Sequence, residues 1–447
     1  MAERIKVLVL DDDPTGSQTV HSCPLLLRWD EDSLRQALAH PSPLLFLLAN
    51  TRALDPRAAE QRVRSLCQAL KPALVEAQAA GMIDRWLVVS RGDSTLRGHF
   101  PLELQVIEQE LGPFSATLLA PAFLPGGRTT KDGMHLLHGE PVHTTAFAQD
   151  RLFGFSSSYL PDWVEEKTSG QIPAAAVERI GLSDLEAGPG ALQARLSALP
   201  PAVTACVDAE QPEQLKALGE AIWACARQGQ RFALQSAASL INGLVPLPPQ
   251  PLSASGLAGL RRRQPSGDWM PGLVLVGSHV PLADAQLTSL LAEPACAGIE
   301  LDVRKVARVI SGPEPARLLA SLEQSWRQQI ETVISQGLTP VVFTSRGELH
   351  CSSPAERREL GIALAQLMAR LAAVLAPQLG YLISKGGITT HTLLESGLEA
   401  PWVELQGQLF AGLSLVLTPG GLPVITFPGN LGDALSLRQA WQLMQQP

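Results

Sequence analysis

The sequence predicts two α/β domains, each a doubly wound, mainly parallel sheet, with the active-site cleft between them. Three observations carry this. Short apolar runs alternate with helical stretches along nearly the whole chain, the pattern of parallel strands covered on both faces. Most of these runs break into loops rich in Gly, Asp, Arg, Ser or Thr, and in such sheets ligands bind beyond the carboxyl ends of the strands. The 447 residues exceed the size at which one core stops growing. The Pro- and Ser-rich stretch 246–270 reads as a linker between domains spanning 1–245 and 271–447.

The first run, Val7-Leu8-Val9-Leu10, ends in Asp11-Asp12-Asp13-Pro14-Thr15-Gly16. Three carboxylates at the end of a buried strand are costly unless they hold a metal, a cation or a substrate hydroxyl. The same residues would equally serve as an acidic turn capping the next helix. A second run, 43–49, enters Asn50-Thr51-Arg52, and a helix is expected over about 56–80. The third run, 86–90, enters Arg91-Gly92-Asp93-Ser94-Thr95-Leu96-Arg97-Gly98, followed by an amphipathic stretch at 102–111. A fourth, 116–120, leads through Pro121-Ala122-Phe123 to Gly126-Gly127-Arg128-Thr129-Thr130-Lys131. The stretch 150–170 reads as irregular, and further strands are expected near 202–208 and 231–235.

Beyond the linker, 273–276 runs into Gly277-Ser278-His279. A strand near 298–302 and helices near 284–291, 314–336 and 354–375 follow. The run 340–344 enters Ser345-Arg346-Gly347, 381–384 enters Lys385-Gly386-Gly387-Ile388-Thr389, and 423–426 enters Phe427-Pro428-Gly429-Asn430-Leu431-Gly432. Glycines here let backbone amides approach phosphate oxygens. Neither a Walker A sequence nor a G-x-G-x-x-G fingerprint is present.

The formal net charge of −8 argues against a nucleic-acid partner. Six scattered cysteines without a C-x-x-C pair fit a reduced, cytoplasmic compartment. The N-terminal apolar stretch is too soon interrupted for a signal peptide. No uninterrupted apolar run approaches the ~20 residues of a membrane span, so no membrane partner is expected. His135, His138 and His143 lie close together but lack a helical i, i+4 pair, so they read as loop histidines and no metal site is assigned.

Taken together, these motifs resemble those of the four-carbon acid sugar kinase family, over nearly the whole chain. The residues that carry the likeness are Asp12-Asp13-Pro14-Thr15-Gly16, Asn50-Thr51-Arg52, Asp93 to Gly98, Pro121 to Phe123 with Gly127 to Thr129, Gly277-Ser278, Gly386 to Thr389 and Gly429 to Gly432. The chain departs from the family pattern at Ile388, often acidic there, and at Phe427-Pro428, usually Lys-Ser.

The resemblance implies an N-terminal sugar-acid domain, a C-terminal nucleotide domain, and ATP-dependent phosphorylation of a threonate, erythronate or 3-oxo-tetronate. ATP and Mg²⁺ are the implied cofactors, and a homodimer is the implied assembly. Phosphoryl transfer needs an aligned alcohol, an acceptor for its proton and positive charge around the moving group. Asp12, Asp93 and Arg97 are the expected catalytic residues. Asp13, Thr15, Asn50, Arg52, Arg91, Ser94, Thr95, Arg128 and Lys131 are expected around the substrate. Ser278, Gly386, Gly387, Ile388, Thr389, Gly429 and Asn430 are expected around the nucleotide. A rival reading is a haloacid-dehalogenase-type phosphatase with Asp11 as nucleophile and Asp13 as acid/base; another is a non-catalytic sugar-acid or nucleotide sensor.

Overall fold

The computed structural model describes residues 3–14, 20–347 and 354–446. The chain divides into two compact units, Met1–Pro249 and Gln250–Pro447. In the first, the elements run β1 (Ile5–Asp11), β2 (Cys23–Leu26), α1 (Glu31–Ala39), β3 (Leu44–Leu48), α2 (Pro56–Ala79), β4 (Arg85–Arg91), α3 (Leu102–Leu111) and β5 (Ala116–Ala120). They continue with β6 (Arg128–Lys131), β7 (Met134–Leu137), β8 (Glu140–Pro141), α4 (Leu160–Lys167), β9 (Glu178–Ile180), α5 (Leu182–Glu186), α6 (Pro189–Ser197), β10 (Val203–Val207), α7 (Pro212–Arg227), β11 (Phe232–Ser236) and α8 (Ala238–Leu244).

The main sheet of this unit has the order β2-β3-β1-β4-β11-β5-β10-β9, and every pairing is parallel. Strand β1 lies between β3 and β4, and Val7, Leu8 and Val9 have no exposed surface, as an apolar run in a sheet covered on both faces requires. Register levels the strand ends: Asp11 stands opposite Leu48 and Arg91, and Ser236 opposite Arg91 and Ala120. The polar loops therefore leave the sheet side by side. Strands β6, β7 and β8 form a separate antiparallel sheet.

The stretch expected to be irregular contains α4, whose Trp163 packs against Phe100 at 4.7 Å between ring centres and joins Phe155, Leu160 and Val164 in a small core. Its helical character is hidden in sequence by the aromatic and Pro residues around it.

The second unit holds α9 (Ala254–Ala258), β12 (Gly272–Val276), α10 (Pro281–Leu291), β13 (Cys296–Leu301), α11 (Val303–Ile310), α12 (Pro315–Ser335), β14 (Thr339–Thr344) and α13 (Pro354–Leu375). It ends with β15 (Tyr381–Lys385), α14 (Gly387–Thr392), β16 (Trp402–Phe410), β17 (Leu413–Leu417), β18 (Pro423–Phe427) and α15 (Ser436–Gln445). Its strands run β13-β14-β12-β15-β18-β17-β16, parallel as far as β18 and antiparallel beyond. Strands β12, β15 and β18, which carry the Gly-rich loops, are neighbours.

One expectation is corrected here. The stretch 246–270 is not a free linker: Leu257 and Ala258 are fully buried in the core of the second unit, and Arg261 donates to the carbonyls of Met270 and Met444. Its Pro and Ser content masks these few apolar anchors. Among the described residues, the helical stretch Glu359–Gln378 is long and apolar enough to cross a membrane by length and composition, with mean hydropathy 1.7, although Glu359, Gln366 and Arg370 interrupt its apolar run. Within the second unit its Leu364, Leu367, Met368, Leu371 and Leu375 are buried, and Arg370 pairs with Glu323 at 3.0 Å.

Helices α7 and α8 meet backbone to backbone through Gly219 and Gly243: a Cβ on Gly219 would overlap the Gly243 carbonyl, and one on Gly243 the Leu215 carbonyl. Helix α8 directly follows β11, whose end borders the loop after β4. Gly219→Ala is expected to destabilise the protein by about 1–3 kcal/mol, because neither backbone can yield cheaply. Urea unfolding of the variant checks this.

Candidate functional site

The site in the first unit begins with the backbone. Three backbone hydrogen bonds stitch the loops at the ends of β1, β3 and β4 together: the Asn50 amide donates to the Asp11 carbonyl at 3.0 Å, that of Arg52 to the Asp12 carbonyl at 3.1 Å, and that of Asp12 to the Arg91 carbonyl at 3.2 Å. Asn50 takes a left-handed conformation, φ 50°, a turn Asn tolerates better than most residues.

Side chains then lock the arrangement. Arg52 grips Asp12 bidentately, Nε to Oδ2 at 2.9 Å and Nη2 to Oδ1 at 2.5 Å, and reaches Asp13 at 3.4 Å. Arg91 lies 3.4 Å from Asp11 and 3.6 Å from Asp12. Burial pushes Asp11 up to about 7, against the opposing charge of Arg91. Asp12 is raised by burial too, with Arg52 opposing. At Asp93 burial is outweighed: the charges of Arg52 and Arg97, with hydrogen bonds from Thr95 and Arg97, hold it below the usual carboxylate range.

Arg97 donates through Nε to Asp93 at 2.7 Å and to Thr95 Oγ1 at 3.2 Å. Its guanidinium lies 4.9 Å from the Phe147 ring centre. Both Nη groups make no hydrogen bond to the described residues. Gly98 leaves room beside this cluster: a Cβ there would stand 3.6 Å from Asp12 Oδ2.

Three residues the sequence reading missed hold these loops from behind. Glu103, a buried side chain, accepts from Thr51 Oγ1 at 2.5 Å and Ser90 Oγ at 2.9 Å. His99 Nε2 lies 3.0 Å from the Thr51 carbonyl. His135, expected to be a loop histidine, is instead fully buried in β7, with Nε2 2.8 Å from the Ser94 carbonyl and Nδ1 2.9 Å from Thr130 Oγ1. Burial lowers it to about 4, so it stays neutral at physiological pH.

Of the remaining expected residues, Ser94 presents its carbonyl to His135, and Thr95 is buried with its hydroxyl on Asp93. Arg128 donates Nη1 to the Gly126 carbonyl at 2.7 Å, and burial lowers it while the Asp93 charge opposes this. Lys131 is not brought to the cluster; it is half exposed and pairs with Glu210 at 3.6 Å. Thr15 lies outside the described residues.

In the second unit the ends of β12, β15 and β18 lie together. Gly277 is required by close approach, since a Cβ there would collide with Thr389 Oγ1. Gly386 has φ +120° and donates its amide to the Phe427 carbonyl at 2.8 Å. Gly387 opens α14. A Cβ on Gly429 would stand 2.8 Å from Ser278 Oγ. The Ser278 carbonyl accepts from Arg346 at 2.5 Å. Thr389 is buried, whereas Ile388 is 62% exposed and Asn430 is also exposed. Beside these loops a cavity of about 400 Å³ is lined by His279, Arg304, Arg346, Arg357 and Leu364. Its arginines come from separate elements and formed no motif in sequence. Small residues around an arginine-bearing cavity fit a phosphorylated ligand.

Glu103 yields a test of the buried carboxylates. Burial, aided by the Asp12 charge, pushes it up to about 7. A carboxyl raised in the folded state favours folding when protonated, so its contribution is fully present below the unfolded value, about 4.5, and is lost as pH rises through about 7. Glu103→Gln keeps a neutral side chain in place. Its melting temperature, relative to the parent chain, is expected to rise between about pH 5 and pH 8, as thermal scans at both would show.

Comparison with known proteins agrees with this division of labour. A sugar-binding N-terminal domain matches residues 7–244, and a nucleotide-binding C-terminal domain matches residues 273–437. A D-threonate kinase of Bordetella bronchiseptica is 26% identical over 98% of this chain and 97% of its own length. A D-erythronate kinase of Heliobacterium modesticaldum is 26% identical over 40% of this chain and 41% of its own. Solved structures from Salmonella typhimurium and Haemophilus influenzae share the fold, with TM-scores of 0.68 and 0.63 at 18% and 16% identity; they span 98% of this chain and 98% and 100% of their own lengths. The chain belongs to the four-carbon acid sugar kinase family, in which a sugar-binding N-terminal domain is joined to a nucleotide-binding C-terminal domain.

Proposed function

We propose that the protein transfers the γ-phosphoryl group of ATP, carried as its Mg²⁺ complex, to a hydroxyl of a four-carbon sugar acid of the threonate or erythronate class. The observation that carries this reading is the open fork of Arg97. Its Nε is taken by Asp93 and Thr95 and its plane is backed by Phe147, leaving two parallel Nη donors that match a carboxylate bidentately. Arg52 and Arg91 face Asp11, Asp12 and Asp13 instead. Of the three arginines available for the acid's carboxylate, Arg97 is therefore the one that takes it.

Asp93 is the acceptor for the substrate hydroxyl. It is more accessible than Asp12, with side-chain exposures of 13% and 3%, and its lowered value keeps it ionised. Phosphoryl transfer through a loose transition state asks this group mainly to orient the alcohol. Asp12 keeps Arg52 and its loop in place. Arg128 supplies positive charge for the moving phosphoryl group. The Gly-rich loops of the second unit hold the nucleotide, which brings Mg²⁺ with several of its waters. The names of the relatives support the acid class. A phosphatase with Asp11 as nucleophile is disfavoured, because that side chain is 1% exposed beneath Arg91.

The test is ATP consumption with Mg²⁺ across threonates, erythronates, 3-oxo-tetronates and matched neutral sugars. One acid is expected to be turned over, with the neutral sugars inert. Arg97→Ala is expected to lower kcat/KM for that acid by about a hundredfold or more, mainly through KM, as loss of two charge-assisted hydrogen bonds implies. ATP binding without turnover of any acid would favour the sensor reading. Unchanged preference for the acid in Arg97→Ala would remove Arg97 from the substrate.

Asp93→Asn is expected to lower kcat in the same assay while leaving the KM for the acid nearly unchanged. In the parent enzyme the acid-side fall in activity should lie below the ordinary carboxylate range, since activity is lost only as pH drops through the lowered value of Asp93.

A further inference from the structure

Lys385, the last residue of β15, has no exposed surface. No carboxylate pairs with it among the described residues. Its ammonium lies 4.0 Å from the centre of the Phe427 ring and donates to two successive carbonyls, those of Pro428 at 3.0 Å and Gly429 at 3.2 Å. A buried cation compensated only by dipoles is costly, and burial lowers this lysine to about 8.

The two carbonyls determine where the next amides point. The peptide bonds after Pro428 and Gly429 are trans, and across a planar trans peptide the N–H points opposite to the C=O. Turning both oxygens inward to Lys385 therefore turns the N–H groups of Gly429 and Asn430 away from it. Neither N–H makes a hydrogen bond among the described residues. Successive backbone N–H groups facing one way form an anion-binding concavity. Ser278 borders it, its Oγ 2.8 Å from where a Cβ on Gly429 would stand.

We infer that Lys385 is a positioning residue for the nucleotide's phosphates: by holding the Pro428 and Gly429 carbonyls inward, it aims the Gly429 and Asn430 N–H groups at a polyphosphate. The inference rests on the nucleotide reading of this unit and deepens it. Lys385 does not touch the nucleotide, and the bound anion offsets the buried ammonium across the intervening peptide groups.

Binding of ATP, ADP and adenosine to the full chain tests this. Lys385→Met is expected to raise the Kd for ATP and ADP by about tenfold or more while that for adenosine stays within about twofold, since only phosphates use the charge-assisted N–H bonds. Lys385→Gln, which retains N–H donors for the carbonyls, is expected to recover part of the loss. Equal weakening of ATP and adenosine in folded variants, or no weakening, overturns the inference.

A second arm needs no variant at this position. The chain has three asparagines, Asn50, Asn242 and Asn430, so asparagine-selective ¹⁵N labelling gives three backbone amide signals, with Asn430 assigned through Asn430→Asp. The Asn430 signal is expected to shift with ATP and not with adenosine. A still signal at saturating ATP overturns the inference, whereas failure of the parent chain to bind ATP at all overturns the nucleotide reading and the inference with it.

Discussion

The bidentate pair between Arg52 and Asp12 is the interaction on which the first unit's site depends. Asp12 is almost wholly shielded from water and Arg52 only partly, with side-chain exposures of 3% and 20%, so removing Arg52 would leave an uncompensated buried carboxylate. Burial by itself would lower Arg52, and the carboxylates of Asp12 and Asp13 more than reverse that. The charge of Arg52 also helps keep Asp93 ionised, and Asp93 in turn fixes Arg97 by its Nε. An open guanidinium at the surface of the site is thus the outermost layer of a stack that starts in the centre of the sheet.

The second unit handles buried charge differently. Lys385 has no carboxylate among the described residues and is held by carbonyl dipoles. That leaves its field uncancelled, in a loop whose amides already face outward. An acidic partner at this place would have stabilised the lysine and repelled any phosphate.

Much of the fold was legible because parallel strands covered on both faces appear as uninterrupted apolar runs, and the loops that follow them carry the polar residues. The site was legible as a set of loops, but not as a division of roles. Arg97 was expected at the chemistry and Arg52 around the substrate, but only the fold shows that the fork of Arg97 is open and that of Arg52 closed on Asp12. Glu103 escaped notice because a glutamate in the first turn of an amphipathic helix ordinarily faces water; here Thr51 and Ser90 draw it inward. His135 was one of three histidines in a turn-rich stretch, and only its place in β7 distinguishes it. The antiparallel β16 alternates buried and half-buried residues along its length, a pattern the sequence carries in Val403, Leu405 and Leu409. Gly407, with φ +138° and a register shift beside it, interrupts that signal.

The position of β11 between β4 and β5 bears on how the site is assembled in time. Strand β5 follows β4 closely in the chain, yet the two are not neighbours; β11, more distant in sequence, separates them and receives the Gly92 amide on the Ser236 carbonyl at 2.9 Å. A chain emerging from the ribosome completes the Asp93–Gly98 segment long before the strand that supports it. Until residues 232–236 arrive, β4 and β5 each present an unpaired apolar edge. Such non-local closure slows folding and exposes the chain to mispairing. The Asp93–Gly98 segment is thus among the early parts of the unit to be synthesised and among the late ones to become rigid.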